Sequence, residues 1–185
     1  IPTNLISITD GQIYLSPSLF ELGVLPAVDV GRSVSRVGGK AQRAAFRAVA
    51  GDLKLAYAQF EELEAFARFG AHLDEETRKT IEHGKRIRAC LKQNELSPAS
   101  VSEQVVILLA LSEGLMDPIS FERMADAQNA LSKAAGTLPL DLQSRLETAK
   151  TFSDADRDAI IDLAHTVLLA FLTPDPKNPS DQEKA

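Results

Sequence analysis

Residues 100–111 read Ser-Val-Ser-Glu-Gln-Val-Val-Ile-Leu-Leu-Ala-Leu. Ser100 followed three residues later by Glu103 is the capping-box pattern. The serine hydroxyl accepts from the backbone three residues on, the glutamate reaches back to the serine N–H, and a helix starts there. Every residue from Val105 to Leu111 is apolar. A helix apolar on most sides leaves no face for water, so it is predicted to sit at the centre of a bundle. The run is far too short to cross a bilayer, which takes roughly 20 residues.

The same signals recur outward from this stretch. On the C-terminal side, helices are predicted at about 118–134, 139–149 and 154–172, the last opened by Ser153, with Asp154 and Asp156 favouring the positive end of the helix dipole. On the N-terminal side, Asp74 can cap a helix reaching about Gln93. Before it, Lys40 to about Phe69 carries Leu53, Tyr57, Phe60, Leu63 and Ala67 at helical spacing, with a break or kink expected at Gly51-Asp52 and a stop at Gly70. No internal repeat of fixed period is present, which argues against a solenoid.

The opening forty residues differ. Leu5-Ile6-Ser7-Ile8-Thr9 and Gln12-Ile13-Tyr14-Leu15 flank Asp10-Gly11, a pattern that predicts an extended pair across a tight turn. Ser16-Pro17-Ser18 can start a helical turn with Leu19, Phe20 and Leu22, and Gly23 supplies its stop. The expected fold is mainly α: a helical bundle preceded by a short mixed α and β part. After Thr173 no apolar residue occurs before the final Ala185, so residues 174–185 are expected to be a disordered tail.

Composition limits the chemistry. With 44% hydrophobic residues among 185, the protein can build a core, which excludes wholesale disorder. Twenty-six acidic against 20 basic side chains give −6, which excludes a strongly basic protein that coats nucleic acid. Cys90 is the single cysteine, so no intrachain disulfide can form, a usage that fits a reducing compartment. His72, His83 and His165 lack metal-ligand spacing; no metal site is expected, and ordinary structural histidines are the better reading. The sequence begins Ile1-Pro2-Thr3-Asn4, without Met, so a processed protein or a piece of a longer one is expected.

The charge is uneven. Residues 1–50 carry +2, and between Asp29 and Asp52 the only charges are Arg32, Arg36, Lys40, Arg43 and Arg47. Lys40, Arg43 and Arg47 fit a solvated helix face better than an anion site. Between Pro26 and Gln42, Gly31, Gly38 and Gly39 give the backbone room to approach a partner, and Arg36 lies at the centre. A guanidinium at a strand-to-helix junction could reach a phosphate; the competing reading is a solvated arginine in a glycine-rich linker.

Pro26-Ala27-Val28-Asp29 followed by Ser33-Val34-Ser35 resembles the signature of the nucleotide-binding subunits of F-type ATP synthases. The extension Val30-Gly31-Arg32-Ser33-Val34-Ser35-Arg36-Val37-Gly38-Gly39-Lys40-Ala41-Gln42 looks like the alpha rather than the beta subunit. Ile6 to Leu15, Leu63 to Gly70, Leu91-Lys92-Gln93 and Glu103-Gln104-Val105 follow in the order that resemblance requires. The resemblance implies the C-terminal portion of an alpha subunit: residues 1–42 as the last strands of a P-loop nucleotide-binding domain and 43–173 as the helical domain. The sequence has no Gly-x-x-x-x-Gly-Lys-[Ser/Thr]. Gly38-Gly39-Lys40 lacks the first glycine at the needed distance and has Ala41 where the magnesium-binding hydroxyl belongs. Alone, the protein is expected to bind nucleotide poorly and hydrolyse nothing.

By the same resemblance, Arg36 matches the arginine finger extended into the catalytic site of a neighbouring beta subunit, and Ser33 a position required for activity. Ser33 either orients the interface strand or is a plain turn hydroxyl. In the noncatalytic adenine pocket Pro26 matches, but Leu25 stands where the family has Arg, and of two glutamines one is Gln93 and the other is Glu95 here. Lost donors and an added acid predict weaker nucleotide retention. These departures are similar to those of the divergent sodium-type group. Implied further are ATP or ADP with Mg in the full complex and none for this fragment alone. The implied partners are beta subunits and the central gamma rotor. Membrane attachment comes only through the assembled complex, at the cytoplasmic face, and no nucleic acid is implied. A noncatalytic helical interaction module left from a truncated ATPase subunit is the alternative.

Overall fold

A computed structural model describes residues 4–5, 8–67, 73–93 and 96–172. The elements are β1 (Gly11–Leu15), α1 (Pro17–Glu21), β2 (Val28–Ser35), α2 (Ala44–Ala67), α3 (Glu75–Cys90), α4 (Val101–Ser112), α5 (Met124–Ala135), α6 (Leu140–Thr148) and α7 (Asp154–Leu172). They form two compact units, residues 1–98 and 99–185. The mainly helical class expected from sequence is the class observed.

In the first unit β1 pairs antiparallel with β2. The strand pair expected about Asp10-Gly11 does not form. Asn4, Leu5 and Ile8 are helical, and the Thr9 N–H donates to the Leu5 carbonyl at 3.1 Å; Ile6 and Ser7 lie outside the described residues. Gly11 instead opens β1 opposite Ser35, where an added Cβ would come within 2.8 Å of the Val34 carbonyl oxygen. The glycine serves close strand approach rather than a turn, because nonlocal pairing outweighs local turn preference. The short α1 bridges the strands. Ser16 caps it through a 3.4 Å bond from the Leu19 N–H, Pro17 occupies its first turn, and Gly23 follows at φ +66°. Leu19, Val24 and Ala27 form a small core beneath it.

Helix α2 runs unbroken through Gly51, against the expected kink. Val49, Leu53, Tyr57 and Phe60 are buried on either side of that position, and this continuous stripe outweighs the roughly 1 kcal/mol that a mid-helix glycine costs. The expected stop at Gly70 lies outside the described residues. Helix α3 is capped as expected, Asp74 Oδ1 accepting from the Thr77 N–H at 2.7 Å. It ends at Cys90 rather than near Gln93, whose N–H donates to the Leu25 carbonyl at 2.8 Å instead of extending the helix. Gly84 of α3 lies directly against Phe60 of α2, which is fully buried.

In the second unit α4 packs against α5, α6 and α7. Val105, Val106, Leu109 and Leu111 are buried, so the central placement expected for this apolar helix holds. Both halves of the capping box are made. The Glu103 N–H donates to Ser100 Oγ at 3.3 Å, and the Ser100 N–H to Glu103 Oε2 at 2.6 Å. Ser132 of α5 donates to the other oxygen of Glu103 at 2.6 Å, joining the cap to the neighbouring helix. Helix α5 starts later than expected, after a 3₁₀ turn at Phe121–Arg123. Arg123 donates to the carbonyls of Ala170 and Phe171, satisfying the C-terminal end of α7. Arg145 of α6 holds Asp156 of α7 at 2.7 Å and Asp141 of its own helix at 2.7 Å. Among the described residues no helix is long and apolar enough to cross a membrane.

Candidate functional site

The segment singled out by its glycines and arginines spans β2 and the 3₁₀ turn after it. The register pairs Leu15 with Val28 and Tyr14 with Asp29, then resumes with Gln12 opposite Val34 and Gly11 opposite Ser35. Between the two paired stretches, Ile13 alone faces the four residues 30–33, so β2 carries a wide bulge. Side chains hold it. Asp29 Oδ1 accepts from the Arg32 N–H at 2.9 Å, Ser33 Oγ donates to the Asp29 carbonyl at 2.6 Å, and the Tyr14 N–H donates to Ser33 Oγ at 3.0 Å. The Arg32 guanidinium lies over the Tyr14 ring, 5.1 Å from its centre.

Beyond the bulge the Arg36 N–H donates to the Asp10 carbonyl at 2.8 Å, which extends the pairing by one residue to an exposed Arg36. The Ser35 hydroxyl then accepts from the Gly38 N–H at 3.1 Å, and Gly38 adopts φ +52° as the backbone turns into a 3₁₀ turn at Gly38–Lys40. Of the basic residues beyond it, Arg47 folds back to donate to the Gln42 carbonyl at 3.0 Å, and its aliphatic stem lies by Gly39.

The expected adenine-pocket residues separate into those brought together and one not described. Leu25 and Gln93, 68 positions apart in the sequence, are joined by the backbone bond between the Gln93 N–H and the Leu25 carbonyl, and Pro26 adjoins through a cis peptide bond. The Gln93 amide nitrogen donates to the Ser97 carbonyl at 3.4 Å. Glu95, His72 and residues 174–185, for which a disordered tail is expected from sequence, lie outside the described residues. His83 is half-buried on α3, and His165 is exposed on α7. Among the described residues no three His, Cys, Asp or Glu side chains are grouped so as to hold a metal ion.

One cavity of about 380 Å³ was not legible in the sequence. Ser16, Ser18, Asp29, Glu61, Glu64 and Arg88 line it. Arg88 donates to both oxygens of Glu64 at 3.0 Å and to the Tyr57 hydroxyl at 3.2 Å, and its guanidinium lies 4.4 Å from the Phe60 ring centre. Burial, then the nearby Asp29 charge, pushes the Glu61 carboxyl above the usual glutamate range. Tyr57, Phe60 and Glu64 share one face of α2 at helical spacing, but Arg88 comes from α3, and no local pattern marks which residue of another helix meets that face.

The C-terminal domain of the ATP synthase alpha/beta chain matches residues 42–167, and the nucleotide-binding domain of the ATP synthase alpha/beta family matches residues 1–35. The protein belongs to the ATP synthase alpha/beta family. Within it the similarity is to alpha subunits. ATP synthase subunit alpha 2 of Albidiferax ferrireducens is 67% identical over 171 residues, covering 92% of the present sequence and 32% of that protein. Its counterpart in Polaromonas naphthalenivorans is 66% identical over 174 residues, covering 94% and 34%. ATP synthase subunit alpha 1 of Shewanella frigidimarina is 61% identical over 172 residues, covering 93% and 33%. The present sequence thus spans about a third of the length of the curated relatives it matches.

Proposed function

We propose that this protein is the C-terminal portion of a regulatory alpha subunit of an F-type ATP synthase, and that Arg36 acts in trans on nucleotide held by a beta subunit. Residues 1–42 end the nucleotide-binding domain, and residues 43–173 belong to the helical domain beside the gamma rotor. The observation that carries this reading is the place of Arg36: exposed, at the end of a paired, side-chain-braced strand, with only basic charges between Asp29 and Asp52 in the sequence.

The chemistry rests on charge. Phosphoryl transfer spreads negative charge over the γ-phosphate oxygens, and a guanidinium delivered there stabilises the transition state more than bound nucleotide, by roughly 10³ to 10⁵ in rate in analogous enzymes. Ser33 orients the strand that delivers it. ATP or ADP with Mg is supplied at sites of the full complex; this stretch alone, without a phosphate loop, is inactive. The complex lies at the cytoplasmic face of the membrane and couples ion flow to ATP synthesis or hydrolysis. Leu25 in place of an arginine donor weakens nucleotide retention at the noncatalytic site.

The test uses the full-length subunit assembled with its partners. Arg36→Ala and Arg36→Lys are expected to leave assembly and nucleotide binding intact and to depress multisite ATP turnover. Wild-type turnover in Arg36→Ala refutes the assignment.

A further inference from the structure

We infer that Asp29 is a positioning residue for Arg36, acting through the bulge at residues 30–33; this rests on the proposed action of Arg36 in trans. Two stretches of β2 are held by main-chain pairing, Val28-Asp29 against Leu15-Tyr14 and Val34-Ser35 against Gln12-Gly11. The residues between them exceed what Ile13 can pair. Asp29 contacts this excess through two hydrogen bonds and an ion pair at 4.0 Å with the exposed Arg32 guanidinium, the last worth little in solvent. Its carboxylate accepts from the Arg32 N–H at 2.9 Å, and its carbonyl accepts from Ser33 Oγ at 2.6 Å. Short carboxylate side chains are suited to such local bonds, which bend the backbone away from its ladder. Ser33 then passes the constraint across the sheet by accepting from the Tyr14 N–H.

The geometric consequence is a matter of register. With the bulge, Asp10 meets Arg36. If the pairing of Tyr14 with Asp29 continued without it, Asp10 would meet Ser33. That slip of three residues amounts to roughly 10 Å along the strand at about 3.3 Å per residue. An odd-numbered slip also reverses which face of the sheet each side chain occupies. Asp29, whose side chain is only 22% exposed, therefore holds in place the length of strand that decides where Arg36 emerges and on which side.

The experiment measures MgATP hydrolysis by the full-length subunit assembled with its partner subunits. Asp29→Ala is expected to lower kcat on the order of 10²-fold, the scale of a misplaced catalytic group, with little change in KM. Asp29→Asn keeps the oxygen that accepts from Arg32 and is expected to turn over near the wild-type rate. The double variant Asp29→Ala/Arg36→Ala is expected to be no slower than Arg36→Ala alone, because both changes remove the same contribution. Wild-type kcat in Asp29→Ala, a loss in Asp29→Asn equal to that in Asp29→Ala, or additive losses in the double variant would each overturn the inference. If Asp29→Ala does not assemble, Asp29→Glu replaces it: moving the carboxylate out by one methylene should lower kcat, and wild-type turnover overturns the inference. Lowered turnover in Arg36→Ala with none in the Asp29 variants refutes this inference alone. Unaltered turnover in Arg36→Ala refutes the proposed function and, with it, the role of Asp29.

Discussion

Adding one methyl group to a helical glycine is expected to have opposite effects at two positions of the first unit. At Gly84 an added Cβ would lie 2.1 Å from Phe60 Cγ and 2.2 Å from Phe60 Cβ, whereas carbon atoms rest at about 3.5 to 4.0 Å. Either α2 and α3 separate by more than an ångström, or the fully buried Phe60 leaves its place. Overpacking of this kind costs about 1 to 3 kcal/mol, and partial expulsion of a buried phenyl ring adds up to about 3 more. Alanine's higher helix propensity returns only about 1 kcal/mol. Taking the middle of the overpacking range, the net expectation for Gly84→Ala is a loss of about 1 kcal/mol if Phe60 keeps its place and about 4 kcal/mol if its ring is partly expelled. At Gly51 nothing lies within 4 Å of the added atom, so Gly51→Ala should gain about 0.5 to 1 kcal/mol.

Thermal and urea denaturation of the protein, followed by far-ultraviolet circular dichroism and tyrosine fluorescence, reads both changes. Tyr57 lies 5.7 Å from Phe60 and reports on the same interface. At about 4 to 8 °C per kcal/mol for a unit of this size, the two variants should move Tm apart by more than 5 °C in opposite directions. Phe60→Ala should open the space, so that adding Gly84→Ala to it costs nothing further. A Gly84→Ala protein at least as stable as wild type would refute the packing argument, as would variants that shift the same way.

Two further outcomes are expected from buried ionisable groups. Burial pushes the Cys90 thiol up to about 12, so in the native protein at neutral pH it should resist thiol reagents and react fully only on denaturation; native labelling at the rate of free cysteine would contradict this. Hydrogen bonding to Arg145 holds the Asp156 carboxyl below its ordinary value of about 3.9, so the stability this group contributes is fully present above that value and is lost as pH falls through the depressed one. Denaturation midpoints across acid pH should therefore fall less steeply in Asp156→Asn, which is also less stable at neutral pH; an unchanged acid slope would exclude Asp156 as the source.

Features made by residues close in sequence were legible there. Ser100 and Glu103, Asp74 and Thr77, and Ser16 and Leu19 meet within one helical turn, so their bonds depend on spacing alone. The uninterrupted apolar run of α4 required a buried position wherever the remaining elements lay. Arg36 and Ser33 were legible as candidates, through the pattern around them. Their geometry was not, because the partner strand lies about twenty residues away and a glycine after an aspartate fits a turn as readily as a strand edge. Gly51 and Gly84 have the same local preference. Only tertiary packing distinguishes the open surface at one from Phe60 at the other. The same holds for Arg88, drawn to Glu64 and Tyr57 across two helices, and for the bulge that places Arg36. Sequence by itself determined where the long helices lie, to within a turn or so at their ends, and the chemical groups available. Tertiary structure decided which groups meet, because nonlocal contacts depend on how separate elements pack, and that packing is not encoded in the spacing of any single one.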